Sequence, residues 1–160
     1  MNRVLVIVVT YNGMKWLDRC LGSVEGADIF VVDNDSTDGS ADYIQGHFPQ
    51  VKLIRCAENL GFSKANNLGF EYALKKGYDY VYLLNQDAWL EAGALETLVA
   101  AADSHPEYAV LSPLQYQDGY EELDRLFKKD KTPPAAHWLM PTAAIRKIGL
   151  FNEELFPLYG

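Results

Sequence analysis

Four groups of polar residues, each directly after an apolar stretch, contain the side chains best suited to bind a ligand. The groups are Thr10-Tyr11-Asn12, Asp33-Asn34-Asp35, Glu58-Asn59-Leu60-Gly61-Phe62 and Asn85-Gln86-Asp87. Carboxylates accept hydrogen bonds or hold divalent cations, and one beside a buried strand is costly to desolvate without such a partner. A single group is equally well explained as the start of a surface loop. Four groups in corresponding places predict a binding site.

The apolar stretches that precede these groups predict the strands of one sheet. The predicted strands are Val4–Val9, Asp28–Val32, Val51–Arg55, Tyr78–Leu84 and Tyr108–Leu111. Apolar spacing and boundary residues predict helices over residues 14–24, 41–46, 63–76, 95–102 and 143–148. The alternation of strand and helix predicts a parallel sheet with helices on both faces. Ligands of such sheets bind outside the carboxyl ends of the strands, where the four polar groups fall.

The composition is that of one globular domain with an acidic excess. The 160 residues include 14 basic and 22 acidic side chains, for a formal charge of −8. This excess argues against a nucleic-acid partner, because phosphate backbones are bound by basic surfaces. Cys20 and Cys56 have no spacing typical of a disulfide framework or a zinc site.

The longest aliphatic run, Val4 to Val9, is shorter than a membrane span or a signal-peptide core. We therefore expect no transmembrane segment and a cytoplasmic location. Peripheral contact with the inner face of the membrane stays open, because a membrane-linked substrate could be met from solution.

Several common site motifs are absent from the sequence. No glycine-rich dinucleotide fingerprint, P-loop or Gly-x-Ser-x-Gly elbow occurs. His47, His105 and His137 form no metal-spaced cluster. Residues 33–45 resemble a calcium loop only superficially, because Asp38 stands where the glycine is required and no glutamate closes the loop.

The polar groups and their flanking residues resemble a known enzyme family. Residues Val8-Val9-Thr10-Tyr11-Asn12 and the segment 31–40 (VVDNDSTDGS) resemble the inverting family-2 glycosyltransferases, which have the GT-A fold. Residues 58–69 (ENLGFSKANNLG) and Leu83-Leu84-Asn85-Gln86-Asp87 are similar to the rhamnosyltransferase-like branch. The resemblance extends from Val4 to Tyr159, with the motifs in the family's order. It implies a Rossmann-like, mostly parallel sheet with helices on both faces.

The resemblance also implies which residues bind the nucleotide of a sugar donor. They are Thr10, Tyr11, Asn12, Asp33, Asn34, Asn59, Gly61, Phe62, Asn66, Asn85 and Gln86. Asp33 would accept a hydrogen bond from the base or ribose, and Gly61 would let the backbone approach closely because it has no Cβ. Asn67 would add an amide contact, although capping of the following helix explains this residue too.

Asn85-Gln86-Asp87 occupies the position of the family's Asp-x-Asp motif, which implies Mg²⁺ or Mn²⁺ as cofactor. Asp87 would hold the metal, while Asn85 replaces the first acid of the fuller motif. One carboxylate can suffice, because such ions commonly use one or two carboxylates together with substrate phosphates.

The implied reaction is inverting transfer of a sugar from a nucleotide-diphosphate donor, of UDP or dTDP type, to a saccharide or lipid-linked acceptor. Such chemistry serves cell-wall or surface polysaccharide biosynthesis. We expect residues 1–160 to form a single domain, with a nucleotide-sugar-binding half (1–115) and a partial acceptor-side half (116–160). No catalytic residue is assigned: in relatives a Glu-Asp pair that supplies the base would follow Gly160, while Glu153 and Glu154 match upstream positions.

Three further interpretations remain open. Asp33-Asn34-Asp35-Ser36-Thr37 satisfies the Asp-x-Asp-x-Thr pattern of haloacid-dehalogenase-type phosphatases, with Asp33 as nucleophile and Asp35 as acid/base. The chain would otherwise be a truncated form of the enzyme, an inactive relative, or a non-catalytic nucleotide-sugar-binding module, depending on whether the base follows in the natural protein. Trp138-Leu139-Met140 would contact the acceptor or belong to a core or dimer interface.

Overall fold

The computed structural model describes residues 2–115 and 137–154 of the chain. The strands are β1 (Val4–Thr10), β2 (Asp28–Asp33), β3 (Lys52–Arg55), β4 (Tyr80–Leu84) and β5 (His137–Pro141). The helices are α1 (Leu17–Gly22), α2 (Ser40–His47), α3 (Gly61–Lys76), α4 (Ala94–Ser104) and α5 (Thr142–Ile148), with a 3₁₀ turn at Met14–Trp16 before α1. No helix within the described residues combines the length and apolar character needed to cross a membrane.

The five strands form one sheet in the order β3-β2-β1-β4-β5. The first four strands are parallel, and β5 runs antiparallel to β4 at the edge. The central strand β1 is built from β-branched and aliphatic residues and is almost wholly buried, as expected for a strand covered on both faces. The fold is therefore the mostly parallel sheet of the GT-A class that the resemblance implied.

Helices cover both faces of the sheet and bury a separate apolar cluster on each. Leu17 of α1, Ile44 of α2 and Leu95 of α4 pack over one face. Phe70 of α3 and Ile145 of α5 pack over the other. Because both faces are covered, the polar strand ends are the natural place for a ligand.

The predicted fifth strand, Tyr108–Leu111, is wrong. Of these residues only Leu111 pairs with the sheet, through an isolated bridge to Leu139. The position beside β4 belongs instead to β5, where Leu139 and Met140 are 0% and 5% exposed. These two residues bury more completely than the half-exposed residues 108–111, so hydrophobic burial decides which segment completes the sheet. The polar stretch 117–131 lies outside the described residues.

The remaining element predictions are confirmed with small shifts at their ends. Helix α3 begins at Gly61 rather than Ser63, and β4 begins at Tyr80 rather than Tyr78. Helix α1 is shorter than expected and follows the separate 3₁₀ turn.

Candidate functional site

The four polar groups lie side by side along one edge of the sheet. The strand order places the segments after β3, β2, β1 and β4 in a row, at the carboxyl ends of four parallel strands. Thr10 and Asp33 are opposite each other in the β1–β2 register. The backbone amide of Asn34 donates to the carbonyl oxygen of Thr10 at 2.8 Å, which continues the pairing beyond the strands.

A glutamine side chain joins the end of β4 to the end of β1. Oε1 of Gln86 accepts hydrogen bonds from the Thr10 hydroxyl at 2.8 Å and the Tyr11 amide at 3.0 Å. Nε2 of Gln86 donates to the Tyr11 carbonyl at 3.3 Å. Both ends of the amide are thus used within the protein, while the Tyr11 side chain remains 45% exposed. The bonds of Gln86 fix the loop that follows β1, and its contact with a nucleotide stays a prediction.

The loop after β1 is joined in turn to the loop after β2. Oδ1 of Asn12 accepts a hydrogen bond from the Thr37 amide at 2.8 Å, and the Asn12 amide donates to Oγ of Ser36 at 2.9 Å. Asn12 has a φ of 49°, a left-handed conformation that asparagine tolerates better than most residues. The side chain therefore supports a tight turn beside the strand ends.

The loop after β2 is joined to the loop after β3 by two further amides. Nδ2 of Asn34 donates to Oδ1 of Asn59 at 2.7 Å, and Oδ1 of Asn34 accepts from the Leu60 amide at 2.7 Å. Oδ1 of Asn59 also accepts from the Gly61 amide at 2.9 Å. Gly61 has a φ of 72°, which explains why glycine is required where the chain enters α3.

One side-chain atom in this edge is conspicuously without a partner. Asp33 is 3% exposed, and its Oδ2 accepts from the Ser36 amide at 3.2 Å. Its Oδ1 is buried and has no hydrogen-bond partner among the described residues. Leaving a buried carboxylate oxygen unsatisfied costs free energy, so this atom is ready to accept a hydrogen bond from a ligand.

Asp87 is the carboxylate at this edge that follows β4. It is exposed and forms no hydrogen bond to a described residue. Burial, followed by the charge of Asp87, raises the pKa of Cys20 to about 12. Burial lowers the pKa of His137, and the charge of Asp87 opposes that change. The negative charge of Asp87 therefore acts on the groups near the end of β4.

The donor set at this edge fits a divalent cation that is shared with a ligand. No three His, Cys, Asp or Glu side chains in residues 2–115 and 137–154 converge on a cation position. A hard cation such as Mg²⁺ commonly takes one or two protein carboxylates and completes its shell with phosphate oxygens and water. Asp87 meets that requirement, and the half-buried Asn85 beside it adds a neutral amide.

The two asparagines of α3 face different partners. Nδ2 of Asn66 donates to the Phe62 carbonyl one turn earlier at 2.9 Å. Asn67 instead bonds to residues 151 and 153, so its predicted alternatives, a nucleotide contact and a helix cap, do not describe its observed bonds. The ring of Phe62 packs near the ring of Phe151, with centroids 5.6 Å apart.

Asp38 and Ser40 support the site and were not assigned to it from the sequence. Asp38 accepts hydrogen bonds from the Met14 amide at 3.0 Å and from the amide and hydroxyl of Ser40. Burial opposes these bonds, but together they lower the pKa of Asp38. The Asp38-Gly39-Ser40 sequence before α2 could have indicated this role, because a short acidic side chain at such a position commonly binds nearby backbone amides.

Comparison with known proteins adds independent information. The family model "Glycosyl transferase family 2" matches residues 5–154. An N-acetylglucosaminyl-diphospho-decaprenol L-rhamnosyltransferase of Mycobacterium tuberculosis (strain CDC 1551 / Oshkosh) is 32% identical over 122 residues, which cover 68% of this chain and 40% of the relative. The protein of strain ATCC 25618 / H37Rv matches to the same extent.

Solved structures share the fold. A crystal structure of S. aureus TarS 1-349 in complex with UDP superposes with a TM-score of 0.77 at 22% identity, covering 96% of this chain and 51% of the 1-349 chain. The mannosyltransferase PcManGT from Pyrobaculum calidifontis, in complex with GDP-Man and Mn²⁺, gives a TM-score of 0.73 at 18% identity, covering 95% of this chain and 48% of that one. The chain thus spans about half the length of these structures and less of the curated relatives. The family model covers nearly the whole chain, and the chain belongs to glycosyl transferase family 2.

Proposed function

We propose that this chain binds a nucleotide-diphosphate sugar at the polar edge of its sheet and acts in an inverting glycosyltransferase reaction. The observation that carries the proposal is the buried, unpartnered Oδ1 of Asp33. A nucleoside offers N–H and O–H donors from its base and ribose, either of which would satisfy this oxygen. The surrounding amides of Asn12, Asn34 and Gln86 are engaged with backbone groups, so they hold the strand ends in place around Asp33.

We assign Asp87 to the diphosphate end of the donor through Mg²⁺ or Mn²⁺. When bound, the metal would neutralise negative charge on the leaving diphosphate. Asp87 supplies the exposed carboxylate that this role needs, and the Mn²⁺ in the PcManGT complex supports divalent-metal use in this fold.

The choice of donor and acceptor follows from the relatives. The mycobacterial relative is named as a rhamnosyltransferase for a lipid-linked N-acetylglucosamine, and TarS structures contain UDP and UDP-GlcNAc. We propose a UDP- or dTDP-type donor, a saccharide or lipid-linked acceptor, and a cell-wall or surface polysaccharide as product. A cytoplasmic location fits nucleotide-sugar use, with contact at the inner membrane face if the acceptor is lipid-linked.

The proposed reaction is a direct displacement. The acceptor oxygen forms a bond to the anomeric carbon while the bond from that carbon to the phosphate oxygen breaks, and its electrons leave with the diphosphate. The acceptor hydroxyl proton passes to a carboxylate acting as general base. We assign no described carboxylate to that step, because Glu153 is held by Asn67 and Glu154 is an exposed acid on the same segment.

Asp33→Asn tests the nucleotide assignment. The Ser36 amide would hold the oxygen of the new side chain, which turns its NH₂ group toward the ligand's donor. We expect nucleotide affinity to fall about tenfold or more by titration calorimetry. Asp35→Asn is the matched control, because Asp35 is exposed, and should change affinity less than about twofold. Unchanged affinity in Asp33→Asn contradicts the proposal.

The phosphatase alternative is tested with the same two variants. Turnover of p-nitrophenyl phosphate with Mg²⁺, abolished by Asp33→Asn, would favour that alternative. Family membership argues for the glycosyltransferase, as does the position of Asp33 at the end of the second strand, because the phosphatases carry this motif on their first strand.

A further inference from the structure

Asn67 joins the first turns of α3 to a segment more than eighty residues away. Its Oδ1 accepts from the Phe151 amide at 3.0 Å, and its Nδ2 donates to the Phe151 carbonyl at 3.0 Å. The side chain thus pairs with one backbone residue through both of its polar atoms, as a neighbouring strand would. Nδ2 also donates to Oε1 of Glu153 at 2.9 Å. Asn67 is 3% exposed, so these bonds are made away from water.

Aromatic contacts place Phe151 between the donor-binding edge and β5. Its ring centroid lies 5.6 Å from that of Phe62, 5.4 Å from that of Phe70 and 6.4 Å from that of Trp138. Phe62 follows Gly61 directly, and the Gly61 amide belongs to the hydrogen-bonded loops around Asp33. The segment after α5 therefore contacts α3 along several turns, the first of which borders the proposed nucleotide site.

The residues just before Phe151 (148–150) make few contacts that would fix its position. Helix α5 ends at Ile148, and Gly149 has a φ of 89°, so the chain turns sharply there. Ile148 and Leu150 are 66% and 38% exposed, and neither belongs to the two apolar clusters. The Asn67 bonds and the Phe151 ring therefore contribute directly to the position of residues 151 and 153.

We propose that Asn67 is a positioning residue that fixes residues 151–153, the segment after α5, against α3 beside the proposed nucleotide site. Loss of the Asn67 bonds should release this segment while leaving the nucleotide contacts intact. The effect on sugar transfer rests on the proposed function, whereas the effect on the segment does not.

Hydrogen exchange in the full 160-residue chain tests the placement without any transfer assay. In Asn67→Ala we expect the Phe151 amide to exchange about tenfold faster or more, because its acceptor is removed. Amides in the middle of α3 and in β1 should keep their protection. Glu154→Gln is the matched control, since Glu154 is adjacent to Glu153 but its side chain does not bond to Asn67, and should leave Phe151 unchanged.

A rescue pair covers the case in which Asn67→Ala does not fold. Asn67→Asp removes the Nδ2 donor and places a second carboxylate beside that of Glu153. We therefore expect residues 151–153 to become more mobile and Glu153 to lose its hydrogen bond to residue 67. Adding Glu153→Gln supplies an amide that donates to the new carboxylate, and should restore part of the protection. A general loss of packing would not be repaired by this second exchange.

Transfer and binding assays separate this role from a merely structural one. UDP affinity should stay within about twofold in Asn67→Ala, while kcat for sugar transfer falls about tenfold with little change in the donor KM. Unchanged exchange at Phe151, or equal acceleration throughout the sheet, overturns the proposal. If the parent chain binds UDP but transfers no sugar, the catalytic part of the proposed function fails for this chain, and the exchange and rescue results alone decide the role of Asn67.

Discussion

The hydroxyl of Thr10 donates a 2.8 Å hydrogen bond to Oε1 of Gln86, which also accepts from the amide of Tyr11. Thr10 ends β1 and is fully buried, whereas Gln86 follows β4 and precedes Asp87. One side chain therefore holds the metal-binding candidate and the loop after β1 in a fixed relation. Gln86, the middle residue of the Asn85-Gln86-Asp87 motif, therefore has a structural role in this chain.

Gln86→Ala should weaken both folding and nucleotide binding. The change removes three hydrogen bonds and leaves the buried Thr10 hydroxyl without its acceptor. We expect the free energy of unfolding to fall by about 1–2 kcal/mol and nucleotide affinity to fall by severalfold. Denaturant unfolding and titration calorimetry measure these effects. Gln50→Ala, an exposed site outside this network, serves as control, and equal behaviour of the two variants would contradict the assignment.

Gly13→Ala should disturb the same contact from the other side. A Cβ at this position would collide with Oε1 of Gln86 and approach the Thr10 hydroxyl, although the backbone φ of −98° suits any residue. We expect a loss of about 1–3 kcal/mol of stability. The Gln86 amide is one of the two groups that must move, together with the Thr10 hydroxyl, so the loss should shrink by at least about 0.5 kcal/mol in a Gln86→Ala background. Strict additivity in this double-mutant cycle would show that the two residues are not coupled.

Asp38 should stabilise the fold at neutral pH and lose that effect in acid. Its pKa lies below the ordinary value of 3.8 in the folded chain because backbone and hydroxyl donors bind the carboxylate. A lowered pKa stabilises the folded state above the unfolded pKa, and the effect disappears as pH falls through the folded pKa. The thermal midpoint of Asp38→Asn should therefore be lower than that of the parent at pH 7, with the difference closing below pH 3.8.

Glu91→Gln provides the control for this pH series. It removes the same charge from an exposed residue whose side chain forms no hydrogen bond to a described residue. Its midpoint should follow the parent at every pH. A constant difference between Asp38→Asn and the parent across the acid range would show that the charge of Asp38 does not matter.

The strands and the site edge were predictable because their signals are local. Continuous apolar runs such as Val4–Val9 are typical of strands buried on both faces, and the polar residues at their ends follow from chain order alone. Strand β5 was missed because more than fifty residues separate it in sequence from β4, the strand with which it pairs. Its short apolar stretch around Leu139 carries no periodicity that separates it from the competing Tyr108–Leu111 stretch.

The division of labour among the polar residues could not be predicted from their types. Asn12, Asn34 and Gln86 have the same chemistry whether they bind a nucleotide or a backbone amide, so only the folded loops show that each accepts a hydrogen bond from a backbone amide, and their nucleotide contacts stay predictions. Asn67 pairs with Phe151, and a contact across that sequence separation leaves no local pattern. Asp33 differs from the other carboxylates of this edge because its Oδ1 is buried without a hydrogen-bond partner among the described residues, which the sequence does not show.

Titration of the purified chain with UDP, dTDP and GDP, with and without Mn²⁺, tests the donor site most directly. We expect one nucleotide diphosphate to bind in a Mn²⁺-dependent manner and the metal dependence to disappear in Asp87→Ala. Nucleotide binding without sugar transfer would retain the site and favour a non-catalytic binding module. Failure of all three nucleotides to bind, or metal-dependent binding that survives Asp87→Ala, would contradict the account.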